Sequence, residues 1–335
     1  MKNNSYLGAI DIFRIAAAAL VIVIHTPDIP FLGGTGNLLL SGVIARLAVP
    51  FFFAVTGFFT DFTCASSLKR LLAKTALMYA AATAVYLPYG SYSASIRQMM
   101  FDGTFYHLWY FPALAIGAVI VFALKKLPAC AAFTIVSALY AFGLCGDSYY
   151  KLAVNAEPIR KALDVLSNVF SYTRNGIFFA PIFLLIGNVL GSKLSRDLNE
   201  NRRPISPLIS APCFAVSLAA LIVERFSLRG ITFAVHDNMF ISLIPCTVFL
   251  LLLLSAIRMK ARPALRQISM WIYIIHPIII DLWIRVKNGL DSAGTLNADA
   301  RHVIHTASIA LGAAAVMVIL LSIKKLSRKR IAEKS

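Results

Sequence analysis

Long apolar runs alternate with short polar or basic segments along most of the chain. Crossing a hydrocarbon core of about 30 Å takes about 20 helical residues. Runs of that order are predicted near 7–26, 38–60, 70–88, 107–124, 128–146, 174–191, 207–224, 237–257, 267–284 and 303–323. Proline sits at or beside many of their ends, as at Pro27, Pro88, Pro128 and Pro204, where it punctuates a helix. The pattern predicts an all-α integral membrane protein with about ten transmembrane helices, and residues 1–335 are read as a single polytopic membrane domain. Asp11 and Arg14 interrupt the first run and no small-residue cleavage site follows it, so it reads as a retained span rather than a signal peptide. The longest connection, near 147–173, contains Glu157-Pro158 followed by Ile159–Phe170, which predicts a short interfacial helix. No internal repeat of the kind that marks inverted-repeat transporters is visible.

Composition agrees. Apolar residues make up 59% of the chain and charged residues 14%, against about 45–50% and 25% in soluble domains. A soluble fold of this length could not hide so much apolar surface. The formal net charge of +17 would suit nucleic acid if it formed a stripe, but Lys and Arg occur in short clusters between the apolar runs, so a nucleic-acid partner is excluded. With the N-terminus inside, the clusters Lys69-Arg70, Lys125-Lys126, Lys193 to Arg203, Arg258 to Arg266 and Lys324 to Lys334 fall on the cytoplasmic side. They outnumber the external basic residues roughly two to one, so both termini are expected in the cytoplasm. The expected location is the bacterial cytoplasmic membrane, crossed many times, with the lipid bilayer as partner. Cys64, Cys130, Cys145, Cys213 and Cys246 are odd in number and form no C-x-x-C, which predicts small buried hydrophobes rather than disulfides or a metal site.

Ionisable groups inside the spans need an explanation, because each costs several kcal/mol unless paired or watered. Arg14 and His25 are eleven residues apart in the first span, about 20° apart around the helix and about 16 Å apart along it. They therefore share one face, as a conduit or a long bound ligand would require. The plainer reading pairs Asp11 with Arg14 as a structural ion pair and leaves His25 at the helix end. Arg46 precedes Pro50, which removes a backbone donor and can kink the second span. His107 and Trp109 open the fourth span within Phe105–Pro112, where an aromatic belt accounts for the Trp but not for the His. Arg174 and Asn175 open the sixth span and together suit a carboxylate. His276, just before Pro277, repeats the placing of a His in the outer half of a span. His302 and His305 precede the last span without a carboxylate at ligand spacing, so no metal is expected.

Asp11-x-x-Arg14-x10-His25, Arg46-x-x-x-Pro50-Phe-Phe-Phe and Ile275-His276-Pro277, in that order, resemble the membrane acyltransferase-3 family of ten-helix O- and N-acyltransferases. Tyr106–Pro112, Gly146-Asp147-Ser148-Tyr149-Tyr150 and Thr173–Phe179 further resemble the membrane domain of the vancomycin-resistance serine/alanine racemases, the VanT group. In that group an acyltransferase-3 domain precedes a cytoplasmic racemase domain that uses pyridoxal phosphate. The resemblance implies a membrane domain that brings in L-serine for conversion to D-serine and incorporation into D-alanyl-D-serine precursors. It implies no cofactor within residues 1–335, with the racemase domain expected after residue 335.

Three readings follow. In the first, L-serine is bound by Arg46, His107, Trp109, Arg174, Asn175 and His276 and passed inward to the C-terminal racemase domain as partner. In the second, the chain is an acyltransferase with acyl-coenzyme A as donor. His25 is then the general base and Arg14 contacts the donor phosphates. In the third, the domain only anchors the racemase. A homodimer is compatible with each.

Overall fold

The apolar runs fold as helices. A computed structural model describes residues 6–26, 28–29, 32–89, 95–105, 107–200, 206–231 and 236–292. Among them no strand forms beyond one bridge between Leu7 and Met259. In chain order the helices are α1 (Gly8–His25), α2 (Gly33–Leu39), α3 (Ala48–Phe59), α4 (Ala65–Tyr86), α5 (Ile96–Phe101), α6 (Tyr110–Ala123) and α7 (Ala129–Cys145). They continue with α8 (Tyr150–Ala153), α9 (Glu157–Ser167), α10 (Ala180–Asn199), α11 (Pro207–Ile231), α12 (Leu243–Ala256) and α13 (Pro263–Ser292). A helix occupies most of each of the first nine predicted spans, whereas the tenth, with His302 and His305, lies outside the described residues. Gly8–His25, Gly33–Phe59, Pro207–Arg229 and Pro263–Leu282 are long and apolar enough to cross a membrane. Ala129–Cys145 and Leu243–Ala256 are shorter apolar helices. The short helix expected at 159–170 forms two residues earlier as α9, with Pro158 in its first turn, where the missing N–H is not needed.

The described residues form two compact units, 6–48 with 258–292, and 49–257. In the first, α1 packs along α13. Ile10, Ala17, Ala18, Val21 and Ile22 of α1 are buried, the spacing of one helix face. The entry to α1 is pinned by backbone: Gly8 N–H donates to the Met259 carbonyl at 2.8 Å, and Met259 N–H to that of Tyr6 at 3.0 Å. After α2 the backbone makes a π-turn at Leu40–Ile44 and a 3₁₀ turn at Ala45–Leu47 before α3 resumes. Pro50, in the first turn of α3, supplies no N–H to the Arg46 carbonyl and crowds it. The irregularity therefore lies just ahead of the proline.

In the second unit α10 meets α3 backbone to backbone. A Cβ at Gly187 would lie 1.8 Å from the Ala54 carbonyl oxygen, and one at Gly191 2.2 Å from that of Phe58. Gly187 and Gly191 form the small-xxx-small spacing that permits such approach in membranes. Asn188 then reaches across to the Thr60 carbonyl at 2.8 Å. On α11, Leu208, Ile209, Val216 and Val223 are exposed, the reverse of a water-facing helix. Glu224 of α11 accepts N–H bonds from Ile241 at 2.6 Å and Ser242 at 2.8 Å, and the Tyr149 hydroxyl at 2.6 Å. The carboxylate thereby holds the backbone just ahead of α12, and burial, reinforced by Glu224, raises the Tyr149 phenol above its ordinary range. Gly103 takes a positive φ of 84°, which a side chain would strain, as the chain turns toward α6.

The five cysteines are free. Only Cys246 is fully buried, and Cys64 and Cys130 are exposed, which corrects the reading of all five as buried hydrophobes. Both lie at helix starts, at the ends rather than the middles of apolar runs.

Candidate functional site

The second unit gathers three loops around Arg174. The turn after α7 places Asp147, the loop before α12 places Asn238, and residues 171–179 carry Arg174 into the same group. Thr173 ties the last loop down by donating its hydroxyl to the Gly143 carbonyl at 2.8 Å. Asn175 shapes the turn that follows. Its Oδ1 accepts the N–H of Ile177 at 2.9 Å and of Phe178 at 3.2 Å, and its Nδ2 donates to the Tyr172 carbonyl at 2.8 Å. That is the pattern of a helix N-cap. The backbone then makes a wide turn, with Phe179 and Ala180 N–H both directed at the Asn175 carbonyl, so α10 becomes regular at Ala180, later than the predicted 174.

Arg174 is half-buried and lies over aromatic faces. Its Cζ is 4.4 Å from the Trp109 ring centroid and 5.4 Å from that of Tyr172, a cation–π arrangement. Its Nη1 donates to Asn238 Oδ1 at 2.8 Å. The fully buried Asp147 accepts the backbone N–H of Asn238 at 2.7 Å and of Met239 at 2.9 Å, and the Ser148 hydroxyl at 2.9 Å. His236 packs on Tyr172 with ring centroids 4.4 Å apart. Burial holds its imidazole below the ordinary value against the pull of the Asp147 charge, and the Arg174 charge adds a smaller push in the same direction as burial. His107 is fully buried in an aromatic group, 4.9 Å from the Tyr86 ring and 5.6 Å from that of Phe105.

The first unit holds the second set of candidates. Asp11 is fully buried, and Arg266 is its main partner: Nε donates to Oδ1 at 2.7 Å and Nη2 to Oδ2 at 3.3 Å. Arg262 N–H adds a bond to Oδ2 at 2.8 Å. The expected pairing with Arg14 is present but wider, at 3.9 Å. Arg266 comes from α13, and a reading of α1 alone could not supply it. At the other end of α1, His25 Nδ1 bonds the Val21 carbonyl at 2.8 Å. His276 Nδ1 bonds the Tyr273 carbonyl at 2.7 Å, and the two rings face each other with centroids 5.2 Å apart. A carbonyl can only accept, so each Nδ1 carries the proton and each Nε2 is the basic atom. Arg46 sits half-buried on the 3₁₀ turn that packs against α1.

The family model described as an acyltransferase domain matches residues 7–324. The chain belongs to the acyltransferase-3 family. Over 283 residues this acyltransferase-3 chain is 38% identical to an amino-acid racemase of Enterococcus faecalis, a match covering 80% of the chain and 38% of that protein. Over 308 residues it is 33% identical to a serine/alanine racemase of Enterococcus gallinarum, covering 84% of the chain and 41% of that protein. The chain thus spans about two fifths of the length of these relatives. No solved structure matches.

Among the sequence-predicted residues of this acyltransferase-3 chain, the structure brings Trp109 to Arg174, His25 to His276, and Arg14 to Asp11. It commits Asn175 to the turn that presents Arg174. The sequence reading missed Asn238, His236, Tyr172 and Arg266. A faint signal existed for the first two, since His236-Asp237-Asn238 is a polar interruption just before an apolar run. Among the described residues no three His, Cys, Asp or Glu side chains converge to hold a metal ion.

Proposed function

We propose that this chain binds L-serine and takes it up through the membrane for a linked serine/alanine racemase. Under this reading the product feeds D-alanyl-D-serine precursors and so vancomycin resistance. The observation that carries the reading is the Arg174 group. A zwitterionic amino acid needs a fixed cation for its carboxylate and aromatic faces or acceptors for its ammonium. Arg174, Trp109, Tyr172 and Asn238 supply these chemistries together. Two of the loops involved, Gly146–Tyr150 and Thr173–Phe179, are blocks in which the chain resembles serine/alanine racemases. Pyridoxal phosphate would serve the racemase domain, not this one, and the termini would face the cytoplasm, where that domain works. Calorimetry on the purified chain tests the reading. L-serine should bind, and Arg174→Ala should lose about 1.5–3 kcal/mol, the scale of a hydrogen bond to a charged group.

A second reading, acyl transfer, is favoured by the tautomer of His25. With Nδ1 held by the Val21 carbonyl, Nε2 is oriented as a base that could take a proton from an acceptor hydroxyl. Arg14, on the same face of α1, would meet the phosphates of an acyl-coenzyme A donor. Tight acetyl-coenzyme A binding with no serine binding would replace the first reading by this one.

A further inference from the structure

Helix α4 is buried along one side only. Leu68, Thr75, Ala82 and Tyr86 are its buried residues, and helical spacing puts all four within about 40° of one another. Arg70, Lys74, Leu77, Ala81 and Ala84 are exposed and fall on the opposite side, within about 80°. Leu77 is 70% exposed there. In a span read near 70–88, that side meets lipid.

Two of these exposed residues are cations. Arg70 opens the span, and Lys74 lies one turn further in, about 6 Å along the axis and about 40° around it. Basic residues in a loop follow from membrane orientation alone. A Lys one turn inside an apolar run and turned to the bilayer does not, because a charge there is costly. Helical side chains lean toward the N-terminus, and a long Lys stem snorkels. Both effects bring the Lys74 ammonium back to the level of Arg70, where the two like charges oppose each other. Helix α4 contains no Asp or Glu, and among the described residues neither cation forms an ion pair. Asp61, the acid nearest in sequence, is engaged by Thr63, whose N–H and hydroxyl donate to its Oδ1 at 2.9 and 2.6 Å. Lys125, from the end of α6, adds further positive charge at the start of α4, its Nζ donating to the Thr63 carbonyl at 3.4 Å.

The anion that lies beside such a helix, at the edge of the hydrocarbon, is a lipid phosphate. We infer that Arg70 and Lys74 form a headgroup site for an anionic phospholipid. Its phosphate takes charge-assisted hydrogen bonds from both cations, and an acyl chain lies along Leu77, Ala81 and Ala84. The site goes beyond the serine reading and does not depend on it.

Native mass spectrometry tests it, on the full chain released from micelles holding equal amounts of phosphatidylglycerol and phosphatidylcholine. At least about fivefold more phosphatidylglycerol should stay bound, the scale of one or more basic residues acting on an anionic lipid. Arg70→Gln combined with Lys74→Gln should abolish the preference, Lys74→Gln alone should reduce it, and Lys74→Arg should keep it. Lys69→Gln removes a charge at the same end of α4, about 100° around the helix from Arg70, and should leave the preference unchanged. The replaced side chains are all exposed, and an unchanged melting temperature in phosphatidylcholine alone separates loss of the site from loss of the fold. No preference in the wild type, or one that survives the double replacement, would overturn the inference. An equal loss in Lys69→Gln would also overturn it and assign the effect to the overall charge of that end. Displacement of phosphatidylglycerol by acetyl-coenzyme A would overturn it too, giving the two cations to the phosphates of a nucleotide.

Discussion

Asp11 and Arg266, 255 positions apart in sequence, meet at 2.7 Å and join the first turn of α1 to α13. Asp11 is fully buried whereas Arg266 keeps a third of its side chain exposed, so the two partners are not equivalent. Removing Arg266 strands a buried anion, which usually costs about 3–5 kcal/mol. The Arg262 N–H and Arg14 remain beside it, and the expected loss is about 2–3 kcal/mol. Arg14→Ala removes the longer contact to Asp11 and should cost about 1 kcal/mol or less. Unfolding of the two variants in detergent checks the order, and an Arg14→Ala variant less stable than Arg266→Ala contradicts it.

The helical architecture was legible because a bilayer demands long apolar runs, and nine such runs were found where helices stand. That Arg14 and His25 belong to one helix was legible for a similar reason, since helical periodicity is local. Partners supplied by distant loops were not. Arg266 for Asp11 and Asn238 for Arg174 depend on packing that no periodicity encodes. Asn175 shows how one residue admits two readings. Its position beside Arg174 suggested a second ligand group, but an Asn before an apolar helix is also an N-cap, and there its amide is spent on the backbone.

His236 gives the loop before α12 a pH dependence with a definite sign. The unfolded imidazole titrates near about 6.5, and burial with the nearby Arg174 holds the folded one lower. The folded state therefore prefers the neutral ring. Its contribution to stability is fully present above about pH 6.5 and is lost as pH falls through the lowered folded value. The melting temperature should drop on going from pH 7.5 to pH 5, and His236→Gln should show a smaller drop. Equal drops in both proteins would assign the acid sensitivity to other groups.

The basic asymmetry predicts the orientation. Cysteine-labelling probes placed at Asn3 and Ser335 should report the cytoplasmic side, and probes in the loop around Asp147–Asn155 the outer side. The engineered cysteines must be introduced with Cys64 and Cys130 replaced, because both are exposed and would react. An inside loop with an outside C-terminus would reverse the topology and, with it, the direction of the proposed uptake.

His276 and Pro277 are adjacent in α13, and the second creates the need that the first meets. Pro277 has no N–H to donate to the carbonyl four residues back, which is that of Tyr273. His276 Nδ1 bonds that same carbonyl at 2.7 Å, in a fully buried position. An orphaned carbonyl is expensive in hydrocarbon, so the imidazole replaces the missing backbone donor. His276→Ala should therefore destabilise by about 1–3 kcal/mol. Pro277→Ala restores the backbone bond and makes the imidazole's contribution redundant, so the His276→Ala cost should shrink in a Pro277→Ala background. The difference is a coupling free energy read from a double-mutant cycle, about 1 kcal/mol or more if the two residues act as a unit. Strict additivity would show that His276 holds its place for another reason. Its position 5.2 Å from His25 would then point to a direct part in ligand handling.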